Sequence, residues 1–326
     1  MSKCVEKYLT IVELFCPCSL GHIVIGAMKR EYIGILTPDC VRNYYRVFVT
    51  RKIPARSYQY FHETMSLEDL RRSGPDDDED LHEELSDEEF DDDLKTISWR
   101  IVGGKQVSIR RIPYQILYGM YCGGALIAPD WAITAAHCKE KDTFVYVGST
   151  RRSRASPYQI CAHFTHPNWH YKKKPHFHDY DYQLLLLEKP VPVTPSTRPI
   201  AIGELSDLRP NTMVSVSGWG HIRPKANKME EILRRVLVPI IPFDACRSVP
   251  LKNYWNITSR MFCAGYINSG TQDACQGDSG GPAVVNGKLV GLVSFGVGCA
   301  VKNQPGVYSN LPLVRDWIRS VTGLPL

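Results

Sequence analysis

The chain has 326 residues, 44% of them hydrophobic, and a formal net charge of +5. That supports a sizeable core and either two domains or one large domain with a further segment attached. The basic residues form no clustered stripe of the kind nucleic acid requires, so nucleic-acid binding is set aside.

Charge is unevenly divided along the chain. Residues 1–100 carry 13 Lys/Arg against 20 Asp/Glu, and residues 101–326 carry 26 against 14. An acidic front and a basic back attract each other. Residues 1–64 mix aromatic, basic and cysteine residues with neither helical nor strand periodicity, and their sequence assigns them no role. The most apolar stretch there, residues 9–28, is interrupted by Glu13, Pro17 and His22. It reads as neither a clean secretion leader nor a membrane span, because an acid buried in lipid is costly. Residues 65–100 form an acidic segment, with 13 acids in the 18 positions from 76 to 93. Such a run repels itself, buries nothing and is expected to stay unstructured.

From Ile101 the texture changes. Short Val-, Ile-, Leu- and Tyr-rich runs alternate with Gly, Pro, Asn and Asp clusters, at 116–117, 124–127, 144–147, 183–187, 213–216, 288–295 and 306–308. This rhythm predicts an all-β domain of sandwich or barrel type. A single helix is predicted at the end, where Pro312 precedes Leu313, Trp317, Ile318 and Val321 at helical spacing.

Three stretches carry candidate chemistry. In Asp273-Ala-Cys-Gln-Gly-Asp-Ser-Gly-Gly-Pro282, the glycines free the backbone for a tight turn. That turn can aim the N–H groups of Gly277 and Ser279 at one point beside the Ser279 hydroxyl, as a nucleophile with an oxyanion site needs. Thr134-Ala-Ala-His-Cys138 sets His137 among small residues that can pack and orient its ring. Asp181 stands at the mouth of the apolar run Leu184–Leu187, where an unpaired carboxylate would be expensive. Ser279 needs a base and the base an orienting acid, and His137 and Asp181 are the fitting candidates. There are eleven cysteines, an odd number, and those after residue 120 fall into pairs that suit an oxidising compartment.

Residues 101–326 resemble the chymotrypsin/trypsin-like serine proteases. The resemblance rests on Arg100 followed by Ile101-Val-Gly-Gly104, on Thr134-Ala-Ala-His-Cys138, on the Asp181 strand, on Ser217-Gly-Trp-Gly220 and on Gly277-Asp-Ser-Gly-Gly-Pro282, in that order. It implies two packed six-stranded antiparallel β-barrels with a C-terminal helix. The cleft between them would hold a triad of His137, Asp181 and Ser279 and an oxyanion hole of Gly277 and Ser279. It implies a zymogen cut after Arg100, whose new Ile101 ammonium pairs with Asp278. It further implies a primary pocket with Asp273 at its floor, Ala274 beside that acid, open walls at Gly296 and Gly306, and Ser294 on the substrate-binding strand. A carboxylate at the floor selects Arg or Lys before the scissile bond. Ala274, where relatives often carry Ser, tilts the preference to Arg, whose fork pairs directly with Asp273.

The resemblance also implies bridges Cys122–Cys138, Cys246–Cys263 and Cys275–Cys299. Two other bridges common in vertebrate trypsins are replaced by Val214 with Val285 and by Val107 with Arg235. Cys161 is then left over and is expected to be a buried strand thiol rather than a link to one of the early cysteines. The short basic stretch Gly148-Ser-Thr-Arg-Arg-Ser-Arg154 stands where many trypsins carry calcium-binding acids, so neither calcium nor any other cofactor is expected. His166, His170, His176 and His178 are read as a solvated basic loop rather than a metal site, and Asn256-Ile-Thr258 is a glycosylation sequon. The implied partners are protein or peptide substrates with Arg or Lys before the scissile bond, an activating trypsin-like protease, and inhibitors of serpin or Kunitz type. The implied product is a secreted monomer.

Overall fold

The computed structural model describes Cys40 and residues 104–119, 121–138, 142–170, 178–220, 229–266, 278–296 and 302–326. All of these fall in one compact unit, Ile33–Leu326. The acidic run, the residues around Arg100 and much of the loop before Ser279 lie outside the described residues.

Six strands close a first barrel in the order β2-β3-β4-β7-β6-β5. They are β2 Gln115–Tyr118, β3 Cys122–Ala128, β4 Trp131–Thr134, β5 Phe144–Val147, β6 Ser156–Thr165 and β7 Gln183–Leu187. In β7 every residue is buried, and period-two alternation divides its leucines between two cores. Leu185 and Leu187 face the barrel interior with Ile116, Leu126, Val145 and Ile160. Leu184 and Leu186 face outward, onto Trp131, Ile133, strand residues of the second barrel and the C-terminal helix.

The second sheet runs β1-β9-β10-β13-β12-β11-β8, and β8 pairs again with β9, so six of its strands close into a barrel with β1 attached at β9. Its members are β1 Lys105–Gln106, β8 Met213–Gly218, β9 Arg234–Ile241, β10 Met261–Ala264, β11 Pro282–Val285, β12 Lys288–Phe295 and β13 Gly306–Asn310. Every strand pairing among the described residues of both barrels is antiparallel, from the tight β3–β4 connection to the β11–β12 hairpin. That hairpin turns at Asn286 and Gly287, both at positive φ (48° and 74°), as the twist of a two-residue turn requires. Val214, Val216, Val236, Val238, Ile240, Val285 and Tyr308 fill its interior.

The predicted strands all lie within observed ones, whereas β4, β6, β9, β10 and β11 had no clear signal in the sequence. Two short helices, α1 Phe243–Arg247 and α2 Lys252–Trp255, connect β9 to β10. The predicted C-terminal helix is a single 3₁₀ turn at Leu311–Val314 running into α3, Arg315–Thr322, which stops at Gly323 with φ 76°. Among the described residues no helix is long and apolar enough to cross a membrane.

Two of the expected disulfides are formed, Cys122–Cys138 and Cys246–Cys263; Cys275–Cys299 lies outside the described residues. The expectation for Cys161 is corrected: it is buried in β6, but as half of a disulfide with Cys40. The physical reason is that Cys40 packs in the outer cluster that Cys161 faces, at a bulge of the strand. Ile160 pairs with Leu187 and Ala162 with Leu186, which leaves Cys161 as the extra residue. Ile160 therefore faces the barrel interior while Cys161 and Ala162 both face the outer cluster, where Cys40 packs. Val214 and Val285 pack in one interior cluster, as an apolar replacement for a bridge should. Arg235 is held by its Nε–H, which donates to Ser215 Oγ at 2.6 Å.

Candidate active site

The cleft site is assembled from the ends of strands in both barrels. His137 sits on the 3₁₀ turn Ala136–Cys138 that follows β4, and the Cys122–Cys138 bridge anchors this turn to β3. Ala135 and Ala136 are buried, so the small residues before His137 let its backbone lie close to the core. Asp181 stands two residues before β7 and is fully buried.

The two residues grip each other twice. His137 N–H donates to Asp181 Oδ1 at 2.8 Å, and His137 Nδ1–H donates to Oδ2 at 2.7 Å. This fixes the ring orientation and leaves Nε2 as the nitrogen free to exchange a proton. The second barrel adds a third donor: Ser294 Oγ–H, from β12, reaches Asp181 Oδ2 at 2.5 Å. Ser309 Oγ–H donates to the Asp181 carbonyl at 3.2 Å. Burial alone would raise the Asp181 pKa. The charge of His137 and the hydrogen bonds to the carboxylate outweigh it and hold the acid well below its ordinary range. Burial likewise disfavours the imidazolium, but Asp181's charge and hydrogen bond raise His137 above its ordinary 6.5.

Ser279 arrives on the turn before β11. Gly280 at φ 75° gives the turn its shape, and Gly281 N–H closes it on Asp278 O at 2.7 Å. The turn is then seated on the first barrel. Gly123 N–H donates to Ser279 O at 2.8 Å, and Thr134 Oγ–H donates to Gly123 O at 2.7 Å. A Cβ on Gly280 would lie 2.7 Å from Gly123 O and 3.0 Å from Ala135 N, so only glycine permits this approach. Gly280, the neighbour of Ser279, is thereby held against Thr134–Ala135, two residues from His137. The described hydrogen bonds join His137 to Asp181 and do not include one between His137 and Ser279.

The remaining expected site residues are distributed as follows. Gly296 is exposed at the end of β12, and Gly306 is buried at the start of β13. Asp278 is buried, accepts from Gly220 N–H at 3.0 Å, and is enclosed so tightly by Gly218 and Gly220 that neither could carry a side chain. Arg100, Ile101, Asp273, Ala274 and Gly277 lie outside the described residues, as does His176.

Several contributors were not recognised in the sequence. Ser294 was assigned to substrate binding, whereas its hydroxyl also serves Asp181. Asp179, two residues before Asp181, is clamped to the second barrel. Arg260 Nε and Nη2 donate to its two oxygens at 2.8 and 2.7 Å, and Thr258 Oγ donates at 2.9 Å. Burial would raise the Asp179 pKa, but these donors hold it below its usual value. Arg260 also lies over the Tyr180 ring at 4.5 Å, and Tyr182 OH donates to the Arg260 carbonyl at 3.1 Å. The segment carrying Asp181 is thus fixed from both sides. Arg260 gave no signal in the sequence, since its partner lies 81 positions away.

The histidine-rich loop divides between two surroundings. His166 stacks on Tyr180 (4.6 Å) and meets Trp317 at 4.8 Å, on the side of α3. Burial lowers its pKa to about 4, and its Nδ1 accepts the Asn168 N–H at 3.2 Å, as a neutral ring must. His178 lies in the cleft, edge-on to His137 at 5.5 Å and stacked on Phe295 at 4.9 Å. His137, His178 and Asp181 bring ligand-type atoms within 4.8 Å of one another. The Asp181 oxygens and His137 Nδ1 are already engaged with each other, so the donor set suits proton handling better than metal binding.

Comparisons with known proteins agree with this geometry. Residues 101–318 match the family model described as trypsin. A trypsin of Simulium vittatum is 40% identical over 227 residues, which cover 65% of this chain and 89% of that protein. Trypsin 5G1 of Aedes aegypti is 38% identical over 236 residues, covering 70% and 86%. A vitellin-degrading protease of Bombyx mori is 38% identical over 238 residues, covering 70% and 88%.

Proposed function

This chain belongs to the trypsin family of serine endopeptidases, and we propose that it is a secreted zymogen, activated by cleavage after Arg100, that hydrolyses peptide bonds following arginine in preference to lysine. Residues 101–326 are the protease domain, residues 65–100 the acidic pro-segment, and residues 1–64 a segment of unassigned role. The disulfides suit an oxidising, extracellular setting. The protein acts as a monomer and is open to inhibitors of serpin or Kunitz type.

The observation that carries this reading is the Asp181 carboxylate, fully buried and gripped by His137 from one barrel and Ser294 from the other. A structural pair would not need a seryl turn seated beside it, yet Ser279 is tied to Gly123 next to the same strand end. Ser279 Oγ attacks the scissile carbonyl while His137 Nε2 takes its proton. The Nδ1–H bond to Asp181 stabilises the resulting imidazolium. Gly277 and Ser279 N–H groups receive the developing oxyanion. His137 then protonates the leaving amine, and water releases the acyl group by the same route.

Asp273 draws the arginine guanidinium of the substrate, with Gly296 and Gly306 leaving the pocket open. Before cleavage, Asp278 is a buried carboxylate with a backbone donor from Gly220. Cleavage after Arg100 supplies the Ile101 ammonium as a charge partner for it, a pair that is costly to break once formed. This orders the loop that carries Gly277 and Asp273.

The test uses the full chain and its Ser279→Ala variant, each treated with a trace of trypsin that is then inhibited. The new amino terminus and the hydrolysis of matched Arg and Lys peptides are recorded. A terminus at Ile101, with Arg cleaved faster than Lys by the wild type alone, is expected. Processing at Ile101 without hydrolysis would overturn the catalytic assignment, and unchanged Arg cleavage in Asp273→Ser would overturn the pocket.

A further inference from the structure

We infer that cleavage after Arg100 does not release the segment ahead of it, because the Cys40–Cys161 bridge keeps the amino-terminal chain on the barrels and the active species is a two-chain, disulfide-linked protease. The position of the cut rests on the activation reading above; the bridge does not.

Cys40 and Cys161 are separated by 121 residues, and Arg100 lies between them. A cut there opens a covalent loop and severs nothing. The Cys122–Cys138 and Cys246–Cys263 bridges close loops that lie wholly after residue 100 and hold nothing that precedes it. Among the described residues, Cys40–Cys161 is the bridge that spans the cut.

Packing supports the same conclusion. Cys40 is 2% exposed and Cys161 4%, both in the cluster that joins Trp131, Ile200 and Leu186 to Ile318 and Leu324 at the C-terminal end. Next to the inward-facing Ile160, Cys161 faces this outer cluster, and the register shift of β6 falls at this residue, so that Ala162 faces the same way. Disulfide exchange requires a thiolate to reach a sulfur atom, and the burial of both cysteines shields their sulfurs from that attack.

The covalent balance is simple. Hydrolysis consumes one water, breaks the 100–101 amide, and leaves a carboxylate on Arg100 and an ammonium on Ile101. No electrons move, and the S–S bond is unchanged. The acidic run, with 13 acids in 18 positions, therefore stays tethered to a domain of excess positive charge. Tethering holds it at an effective concentration in the millimolar range instead of letting it dilute away.

The experiment uses the oxidised full chain carrying Ser279→Ala, so that it cannot digest itself. One portion is cut with trace trypsin and a second with an endoproteinase specific for acidic residues, which opens the run at 76–93. Amino-terminal sequencing reads the cut, and intact mass under denaturing conditions, with and without reductant, reads the link. The expected result in both portions is one disulfide-linked species without reductant that separates into two chains with it; a single cut at Arg100 gives full mass plus one water, and cuts within the acidic run subtract only the peptides excised between them. A Cys40→Ser version should lose the amino-terminal chain without reductant while Ile101 appears at an unchanged rate. Release of that chain from the unmutated protein without reductant, or its retention in Cys40→Ser, overturns the inference. A linked product in the acid-specific portion with no Ile101 terminus under trypsin leaves the bridge standing and refutes the activation site instead.

Discussion

Replacing Gly280 by alanine tests how Ser279 is placed. The perturbation is one methyl group, but it meets Gly123 O at 2.7 Å, Ala135 N at 3.0 Å and, closer still, Thr134 Oγ1. These approaches are roughly 0.5–1 Å inside ordinary van der Waals contact. Two costs combine. Holding alanine at φ 75° costs about 1–2 kcal/mol, and overpacking against backbone that cannot swing aside adds about 1–3 kcal/mol. The turn relieves the clash by backing away from β4, which carries Ser279 from His137, and a displacement of about 1 Å at a reacting centre lowers rate by about 100-fold.

Gly287→Ala is the internal control: its φ is 74°, yet nothing lies within 4 Å of the added methyl. It pays the φ term alone and should leave activity untouched. The assay is urea unfolding of both variants in the Ser279→Ala background, with kcat/KM on an arginine peptide measured in the active forms. Equal stability losses in the two variants, with Gly280→Ala retaining kcat/KM within about threefold of wild type, would refute the claim that this close approach positions the nucleophile.

Three other outcomes are expected. Arg260→Met removes two hydrogen bonds to Asp179 at a half-buried site and should cost about 1–2 kcal/mol in urea unfolding; Arg260→Lys should recover only part, because an ammonium cannot reproduce the fork. His137 must be neutral to act as a base, and its pKa is raised by Asp181, so the acid limb of kcat/KM should fall above pH 6.5. A limb well below that value would contradict the ion-pair geometry. His166 is held neutral down to about pH 4 in the fold, whereas the unfolded chain takes up that proton near pH 6.5. Its effect has the sign of a lowered histidine: stability is full above pH 6.5 and lost as pH falls toward 4. Thermal midpoints of Ser279→Ala should decline across that window, and His166→Gln should flatten the decline; unchanged slopes would show that His166 is not the group titrating.

The sequence by itself determined a good deal. Strands whose residues alternate or run apolar, such as 183–187 and 288–295, announced a β fold, because burial on a pleated sheet imposes its own period. His137, Asp181 and Ser279 stood out because small residues, glycines and an apolar flank are local requirements of an oriented base and an exposed nucleophile. Strands such as β9, with two arginines at its head and a proline within it, and β6, with its bulge, were obscured because their faces are set by what packs on them.

Tertiary structure alone decided the rest. It brought Ser294 to Asp181 across 113 positions and Arg260 to Asp179 across 81. It also decided the partner of Cys161, because Cys40, 121 positions away, packs in the outer cluster that this sulfur faces. These contacts share one cause. A local pattern records what a residue requires of its neighbours in sequence, whereas a hydrogen bond or disulfide between the ends of distant strands depends on how two closed barrels meet.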